Sequence, residues 1–124
     1  PKLIIEPITR EILMLYSNAS GDYNPIHIDI NHAKEVGLPN VIAHGMLIMS
    51  YLARLITNHI EQSSIKEYGV RFSSITNIGD TLICFGEIEE LTKQNGINSC
   101  KISLQVVNKD KDMKLSGYSI VTIV

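Results

Sequence analysis

The sequence lacks tryptophan and contains only two cysteines, Cys84 and Cys100, in 124 residues. Two cysteines are too few for a disulfide scaffold, which excludes the class of small disulfide-stapled domains. A surplus of positive charge is also missing, since 11 basic and 13 acidic residues leave a formal net charge of -2. This balance provides no overall basic field to attract nucleic acid or an anionic membrane. We therefore expect neither of them as a partner.

Long hydrophobic runs are absent as well, because no stretch approaches the roughly 18 apolar residues of a membrane span. The opening residues, PKLIIEPITR, lack the apolar segment and the cleavage site of a secretory signal. These absences predict a cytoplasmic protein, unless a targeting segment was removed before Pro1. The chain is nevertheless 44% hydrophobic and 19% charged, which is enough apolar material for a core. Its length predicts one domain over residues 1–124.

The first half of the chain carries helical patterns. Thr9 is placed to cap a helix that ends before Gly21. Its apolar residues recur at helical spacing, namely Ile12, Leu15, Tyr16 and Ala19. A shorter helix is expected to follow, with Asn31 as its N-cap and Gly37 as its left-handed stop.

The second half changes to the alternating, β-branched pattern of strands. It predicts four antiparallel strands, YGVRFSSIT, DTLICFGEIEEL, NSCKISLQVVNK and MKLSGYSIVTIV, separated by turns rich in Asn, Gly and Asp. With Asn95-Gly96 as a two-residue turn, Cys100 faces Leu91 and Cys84 faces Val107. The two thiols are then too far apart along the hairpin to form a disulfide.

A stronger helix, GMLIMSYLARLITN, covers residues 45–58 between these halves. Its first half is apolar on nearly every side, so we expect it to be buried all round. The later strands must curl around it, which defines an α+β hot-dog fold: a curved antiparallel sheet wrapped around a central buried helix. One such sheet leaves an edge exposed, and we therefore expect a second copy to pair with it in a homodimer.

The stretch SGDYNPIHID, residues 20–29, contains the side chains best suited to chemistry. Asp22 is an acceptor, His27 titrates near neutrality, and Gly21 and Pro25 restrict the backbone around them. The two side chains can converge on one water, with one group taking its proton and the other holding or returning it. The same residues are also typical of an ordinary turn followed by a packed histidine.

Three motifs, ASGDYNPIHID, VIAHGML and VRFSSITNIGDTL, resemble in order and spacing the MaoC-like family of (R)-specific enoyl-CoA hydratases, also called hydratase 2. The resemblance extends from about Thr9 to Leu91. It implies a hot-dog dimer that reversibly hydrates trans-2-enoyl-CoA to (R)-3-hydroxyacyl-CoA. It further implies that Asp22 and His27 are the catalytic pair that holds the attacking water, while Asn24 orients their loop.

The second motif is expected to supply the thioester site. Gly45 opens the central helix, where free backbone N–H groups stabilise negative charge on the thioester oxygen. We expect His44 to support the site by hydrogen bonding at the turn into the helix. Some related hydratases carry a serine further along this helix, where this chain has Ala53, and Ser50 lies one turn earlier as a second supporting residue.

No metal is expected, because the histidines lack ligand spacing with a cysteine or carboxylate. No cofactor is expected either, since Coenzyme A or the pantetheine of an acyl carrier protein would arrive as part of the substrate. The sequence leaves open a 3-hydroxyacyl-carrier-protein dehydratase, a thioesterase and a non-catalytic thioester-binding subunit. Six basic residues are candidates to contact either carrier: Lys66, Arg71, Lys101, Lys109, Lys111 and Lys114.

Overall fold

The computed structural model describes residues 2–123. Five antiparallel strands form one sheet in the order β1-β3-β4-β5-β2. The strands are β1 (Lys2–Ile5), β2 (Ile65–Phe72), β3 (Leu82–Gln94), β4 (Ile97–Asn108) and β5 (Met113–Ile123). The helices are α1 (Arg10–Ser20), α2 (Ile30–Glu35) and α3 (Gly45–Thr57), and short 3₁₀ turns occupy Pro25–His27 and Gln62–Ser64.

The four strands predicted for the second half of the chain are present as β2 to β5, and the first half adds a fifth that was not predicted. The fifth strand is β1, which pairs with β3 through contacts such as Leu3 with Cys84 and Ile5 with Leu82. With only four residues, this strand is too short to show an alternating pattern in the sequence. It pairs with the first four residues of β3 and is the outermost strand on that side of the sheet.

Helix α1 begins and ends where the sequence predicted. The Thr9 hydroxyl accepts a hydrogen bond from the Ile12 N–H, and Gly21 ends the helix with a φ of 78°. The predicted buried face was partly wrong, however, because Leu15 is 69% exposed while Leu13 and Ser17 are buried. The buried face of the helix is shifted by one residue from the predicted face, and this shift places Ser17 in the interior.

The cap of α2 also differs from the prediction. Asp29, not Asn31, is its N-cap, and the Asp29 carboxylate accepts hydrogen bonds from the N–H groups of Asn31 and His32. The helix therefore begins two residues earlier than predicted, and the N–H groups of its own first turn are the ones that Asp29 satisfies. The predicted left-handed stop at Gly37 is confirmed by its φ of 94°.

The β3–β4 hairpin turns at Asn95 and Gly96 as predicted, since both have positive φ and Cys100 faces Leu91. The register then shifts by one residue between Ile88 and Glu90, so Cys84 faces Val106 and not Val107. This β-bulge could not be predicted from the alternating apolar pattern of the strand, because a bulge inserts only one extra residue. Both cysteines are free and buried, as the predicted offset requires.

Helix α3 lies against the sheet and forms the centre of the core. Its buried side chains share one hydrophobic cluster with strand residues such as Leu82, Leu104 and Val106; they are Leu47, Ile48, Leu52, Leu55 and Ile56. The first half of the helix is less covered than predicted, because Met46 is 57% exposed and Ser50 is exposed as well. The sheet therefore covers one side of the helix and leaves part of its N-terminal half open in the single chain.

The backbone of β2 lies close against β5 at Gly117. A Cβ added there would lie 2.2 Å from the Gly69 carbonyl oxygen, a contact that only glycine avoids. No helix among residues 2–123 is both long and apolar enough to cross a lipid bilayer. A curved antiparallel sheet packed on a central helix is the α+β hot-dog fold.

Candidate active site

The loop between α1 and α2 is built from two consecutive side-chain turns. The Asp22 carboxylate accepts a hydrogen bond from the Asn24 N–H at 3.1 Å, and the Asn24 side chain accepts one from the Ile26 N–H at 3.2 Å. Pro25 then starts the 3₁₀ turn that ends at His27. These local bonds hold Asp22 and His27 on a defined backbone, and Asn24 takes part in both of them.

His27 is buried, and the carbonyl of Ile42 holds its ring. The distance between His27 Nδ1 and the Ile42 oxygen is 2.7 Å. Because a carbonyl oxygen only accepts, we assign the proton to Nδ1, which leaves Nε2 with a free lone pair. A neutral imidazole in this tautomer can accept a proton at Nε2.

Asp22, His27 and His44 come together at one point. A carboxylate oxygen of Asp22 and one ring nitrogen from each histidine all lie within 4.8 Å of one another. Two hydrogen bonds of about 2.8 Å that meet at one water oxygen span about 4.5 Å, so a single water can join such a pair. The Asp22 side chain is exposed while both histidines are buried, which opens the cluster to solvent on the carboxylate side.

His44 occupies the N-cap position of α3, but its side chain makes no hydrogen bond to the helix N-terminus. Its Nε2 lies 3.0 Å from the Ser17 hydroxyl and 3.3 Å from the Asp22 carbonyl oxygen. An Nε2–H donor satisfies both contacts and leaves Nδ1, which has no hydrogen-bond partner. His44 thus supports the site by holding the Asp22 backbone, not by shaping the helix.

The pKa of His44 is lowered, first by burial of the imidazole and second by the neighbouring His27. Both causes oppose a positive charge at this position. His44 is therefore a neutral neighbour of His27. The two rings stack with their centroids 3.9 Å apart, and the edge of Tyr16 meets His44 from another side.

The Asp22, His27 and His44 cluster has the donor types of a metal site, but its geometry fits one poorly. The two imidazole planes are inclined by only 22°. Lone pairs lie in the ring planes, so two stacked rings do not direct their nitrogens at a common ion. The expectation that the site uses no metal stays a prediction.

Gly45 is the first residue of α3 and follows His44 directly. The N–H groups of Leu47 and Ile48 donate to the His44 carbonyl, whereas those of Gly45 and Met46 precede every intrahelical acceptor. A Cβ added to Gly45 would lie 2.9 Å from a ring carbon of Phe72. Glycine here leaves room for the Phe72 ring beside the first turn of α3, where the N–H groups of Gly45 and Met46 lie.

Ser50 does not join the cluster. Its hydroxyl is exposed and donates to the Leu47 carbonyl at 2.6 Å, within its own helix. The sequence reasoning missed two other groups, the Ser17 hydroxyl and the Ile42 carbonyl. Ser17 could have been noticed because it lies four residues after Leu13, as a polar residue on the buried face of α1.

A groove leads to His27 along the N-terminal turns of α1. It has a volume of about 270 Å³ and is lined by Arg10, Glu11, Met14, His27 and Ile28. The Arg10 guanidinium donates to the Ile28 carbonyl at 3.4 Å, which ties this side of the groove together. The buried imidazole is thus reachable by a small molecule.

The fold and this loop place the protein among hot-dog proteins with an Asp-x-Asn-Pro-x-His site. The chain belongs to the MaoC-like family, since residues 4–111 match the family described as MaoC like domain. It is similar to the mitochondrial 3-hydroxyacyl-[acyl-carrier-protein] dehydratase of Arabidopsis thaliana, with 33% identity over 75 residues that cover 60% of this chain and 45% of that protein.

Two further similarities agree with this family. The peroxisomal enoyl-CoA hydratase 2 of Arabidopsis thaliana is 31% identical over 86 residues, which cover 67% of this chain and 28% of that protein. The unliganded structure of the R-hydratase PhaJ1 from Pseudomonas aeruginosa matches with a TM-score of 0.83 and 25% identity, over 98% of this chain and 79% of that chain. The chain spans less than half the length of both Arabidopsis relatives.

Proposed function

We propose that this protein catalyses the reversible, (R)-specific hydration of trans-2-enoyl-CoA to (R)-3-hydroxyacyl-CoA. The observation that carries the proposal is the pairing of Asp22 with His27, whose polar atoms lie a water-bridged distance apart. The orientation of His27 by the Ile42 carbonyl supports it, because it leaves Nε2 free to act. Family membership and the similarity to a hydratase 2 agree with it.

In this mechanism protein groups alone hold the attacking water. The Asp22 carboxylate accepts a hydrogen bond from one O–H of the water, and this hydrogen stays on the oxygen, which becomes the 3-hydroxyl group. His27 Nε2 takes the proton of the other O–H as the oxygen bonds to carbon three. The pair then delivers one proton to carbon two of the resulting enolate, and the water has been added in full. The hydroxyl group on carbon three and the proton on carbon two are therefore added to the same face of the double bond.

The enolate places negative charge on the thioester oxygen while the water adds. We propose that the free N–H groups of Gly45 and Met46 stabilise this charge at the N-terminus of α3, where the helix dipole also favours it. No cofactor is required, since Coenzyme A or pantetheine belongs to the substrate. Asn24, His44 and the Ser17 hydroxyl hold the loop that carries Asp22.

A second candidate is a 3-hydroxyacyl-carrier-protein dehydratase, which would run the same site in the opposite direction. The similarity to the Arabidopsis dehydratase favours it. Of the six basic residues considered for contact with either carrier, Lys114 cannot serve, because it is only 4% exposed. The other five remain accessible and do not distinguish a phosphate-rich nucleotide from an acidic protein surface.

The proposed active form is a homodimer. Strand β2 lies at the edge of the sheet, where its outer backbone groups have no neighbouring strand among the described residues. Phe72 at its end is 51% exposed and Met46 beside Gly45 is 57% exposed. Pairing at this edge would cover both apolar side chains. Light scattering on the purified protein measures its molar mass and so distinguishes a monomer from a dimer. The cytoplasmic location stays a prediction.

The decisive experiment follows the loss of enoyl-thioester absorbance with crotonyl-CoA and with crotonyl-carrier protein, and determines the configuration of the product. We expect the (R)-3-hydroxy thioester from crotonyl-CoA. A clear preference for the carrier-protein substrate would favour the dehydratase. Release of free thiol would indicate a thioesterase, and no turnover of either substrate would contradict both enzymatic proposals.

A further inference from the structure

Lys114 is a buried charge that the proposed mechanism does not use. It lies on β5, is 4% exposed, and donates from Nζ to the Ile75 carbonyl at 2.6 Å. Its ammonium group also pairs with the Asp80 carboxylate at 3.6 Å. Burying an ammonium group is costly unless it is paired and hydrogen-bonded. Both partners of Lys114 belong to the segment between β2 and β3. The contacts of the buried ammonium group therefore stabilise the position of that segment.

The same segment is fastened from within by Asp80. The Asp80 carboxylate accepts a hydrogen bond from the Asn77 N–H at 2.8 Å. Its backbone carbonyl accepts one from the Ile8 N–H at 3.0 Å. Lys114 and Asp80 together therefore fix the backbone of residues 75–80 against β5 and against the chain that leads into α1.

This fixed segment in turn holds the strand-like residues before α3. Asn77 forms an isolated antiparallel bridge with Ile42, and the Ala43 N–H donates to the Thr76 carbonyl at 2.9 Å. The Ile42 carbonyl is the acceptor that holds His27 Nδ1 at 2.7 Å. A continuous series of polar contacts thus runs from Lys114 through residues 75–80 to the ring of His27.

We propose that Lys114 and Asp80 are positioning residues for His27. They act through residues 75–80, which hold the Ile42 carbonyl where it selects the Nδ1–H tautomer of His27. The inference rests on the proposed function for its kinetic consequence, but the tautomer itself can be observed without turnover. If the pair only stabilised the fold, its removal would lower stability and leave the His27 ring unchanged.

The test substitutes Lys114→Met, and in a second variant Lys114→Met with Asp80→Asn. In the single variant the Asp80 carboxylate loses its partner, which can prevent folding. The double variant removes both charges and avoids this penalty. In the wild type, nitrogen-detected NMR should show His27 protonated at Nδ1. In both variants we expect a shift toward a mixture of tautomers, and a fall in kcat of about tenfold or more with KM within about twofold.

Ser119→Ala is the matched control. Ser119 lies on the same strand, is fully buried, and also donates to a backbone carbonyl, that of Glu67 on β2. Its removal should lower stability without changing the His27 nitrogen shifts or kcat. The inference is overturned if the His27 shifts of the folded Lys114 variants equal those of the wild type. An inactive wild type whose Lys114 variants still lose the Nδ1–H tautomer would contradict the hydratase and leave the positioning role supported.

Discussion

The imidazole rings of His27 and His44 stack with centroids 3.9 Å apart and planes inclined by 22°. Each ring has a different anchor, because Nδ1 of His27 is held by the Ile42 carbonyl and Nε2 of His44 by Ser17 and the Asp22 carbonyl. A proton added to one ring raises the cost of a proton on the other. The pair therefore keeps one histidine neutral and structural while the other is available for proton transfer.

The substitutions Asp22→Asn and His27→Gln should each reduce kcat by about 100 to 10,000-fold, because a positioned acid or base contributes about that factor. The rate of crotonyl-CoA hydration measures the effect. His59→Gln is the control, since His59 is exposed at the other end of α3 and should change nothing. Wild-type activity in either loop variant would exclude the proposed pair.

The substitution Gly45→Ala should lower kcat/KM with little loss of stability. The new Cβ would meet the Phe72 ring at 2.9 Å, and because this ring is half exposed it can move aside. We expect the methyl group and the displaced Phe72 ring to hinder the thioester oxygen from reaching the N–H donors, at a cost of about 100-fold or more, the usual effect of losing one oxyanion donor. Steady-state kinetics and urea unfolding of the same sample separate the two effects. An unchanged kcat/KM would remove Gly45 from the site.

The free energy of unfolding should fall as the pH drops below about 6.5, in part because of His44. Burial and the adjacent His27 lower the pKa of folded His44, so the unfolded chain binds more protons in this range. Stability therefore rises with pH through this window. Urea unfolding at about pH 7.5 and about pH 5.5 measures the difference, and His44→Gln should show a smaller one.

His59→Gln is again the control for this measurement. Because His59 is exposed, this variant should lose as much free energy of unfolding on acidification as the wild type does. Equal acid losses in the wild type and in His44→Gln would mean that His44 is readily protonated in the folded protein. That result would contradict its assignment as the neutral member of the pair.

The substitution Gly117→Ala should destabilise the fold by about 3 kcal/mol or more, or prevent folding. Its Cβ would overlap the Gly69 carbonyl oxygen, a backbone atom that cannot move without separating β2 from β5. Thermal unfolding measures the loss. Ser116→Ala, one residue earlier on β5, should be nearly neutral, and a similarly mild Gly117→Ala would show that the two strands can separate at low cost.

Neither cysteine should react with thiol reagents in the native protein at neutral pH. Burial raises the pKa of the Cys84 thiol to about 11, and it raises the pKa of Cys100 as well. A buried, protonated thiol is a poor nucleophile. Counting thiols with a chromogenic disulfide before and after adding urea checks this, and rapid reaction of one thiol in the native state would reveal local opening of the β3–β4 hairpin.

Local chemistry made much of the fold predictable. The Thr9 cap, the stops at Gly21 and Gly37 and the Asn95-Gly96 turn depend on residues a few positions apart, and all are present. The alternation of the later strands and the apolar character of α3 likewise reflect short-range periodicity. The errors arose where a signal was weak or shared, as in the four-residue β1 and the choice between Asp29 and Asn31 as the cap of α2.

The candidate site divides in the same way. Asp22, Asn24 and His27 could be named because they lie in one short motif that resembles the MaoC-like family, and the loop between them makes its own hydrogen bonds over two residues. The contact of Ser17 with His44, the position of the Ile42 carbonyl beside His27 and the contacts of Lys114 could not be predicted, since each forms only when distant segments pack.

The sequence by itself determined the helices, the hairpin and the stiff loop that carries Asp22 and His27, because propensity, capping and turn chemistry act between near neighbours. Only the tertiary structure decided the bulge near Glu89, the exposure of Met46, the burial of Lys114 and the attachment of His44 to Ser17. These features depend on which surfaces meet and at what register, and packing selects them among alternatives that the local pattern leaves nearly equal in energy.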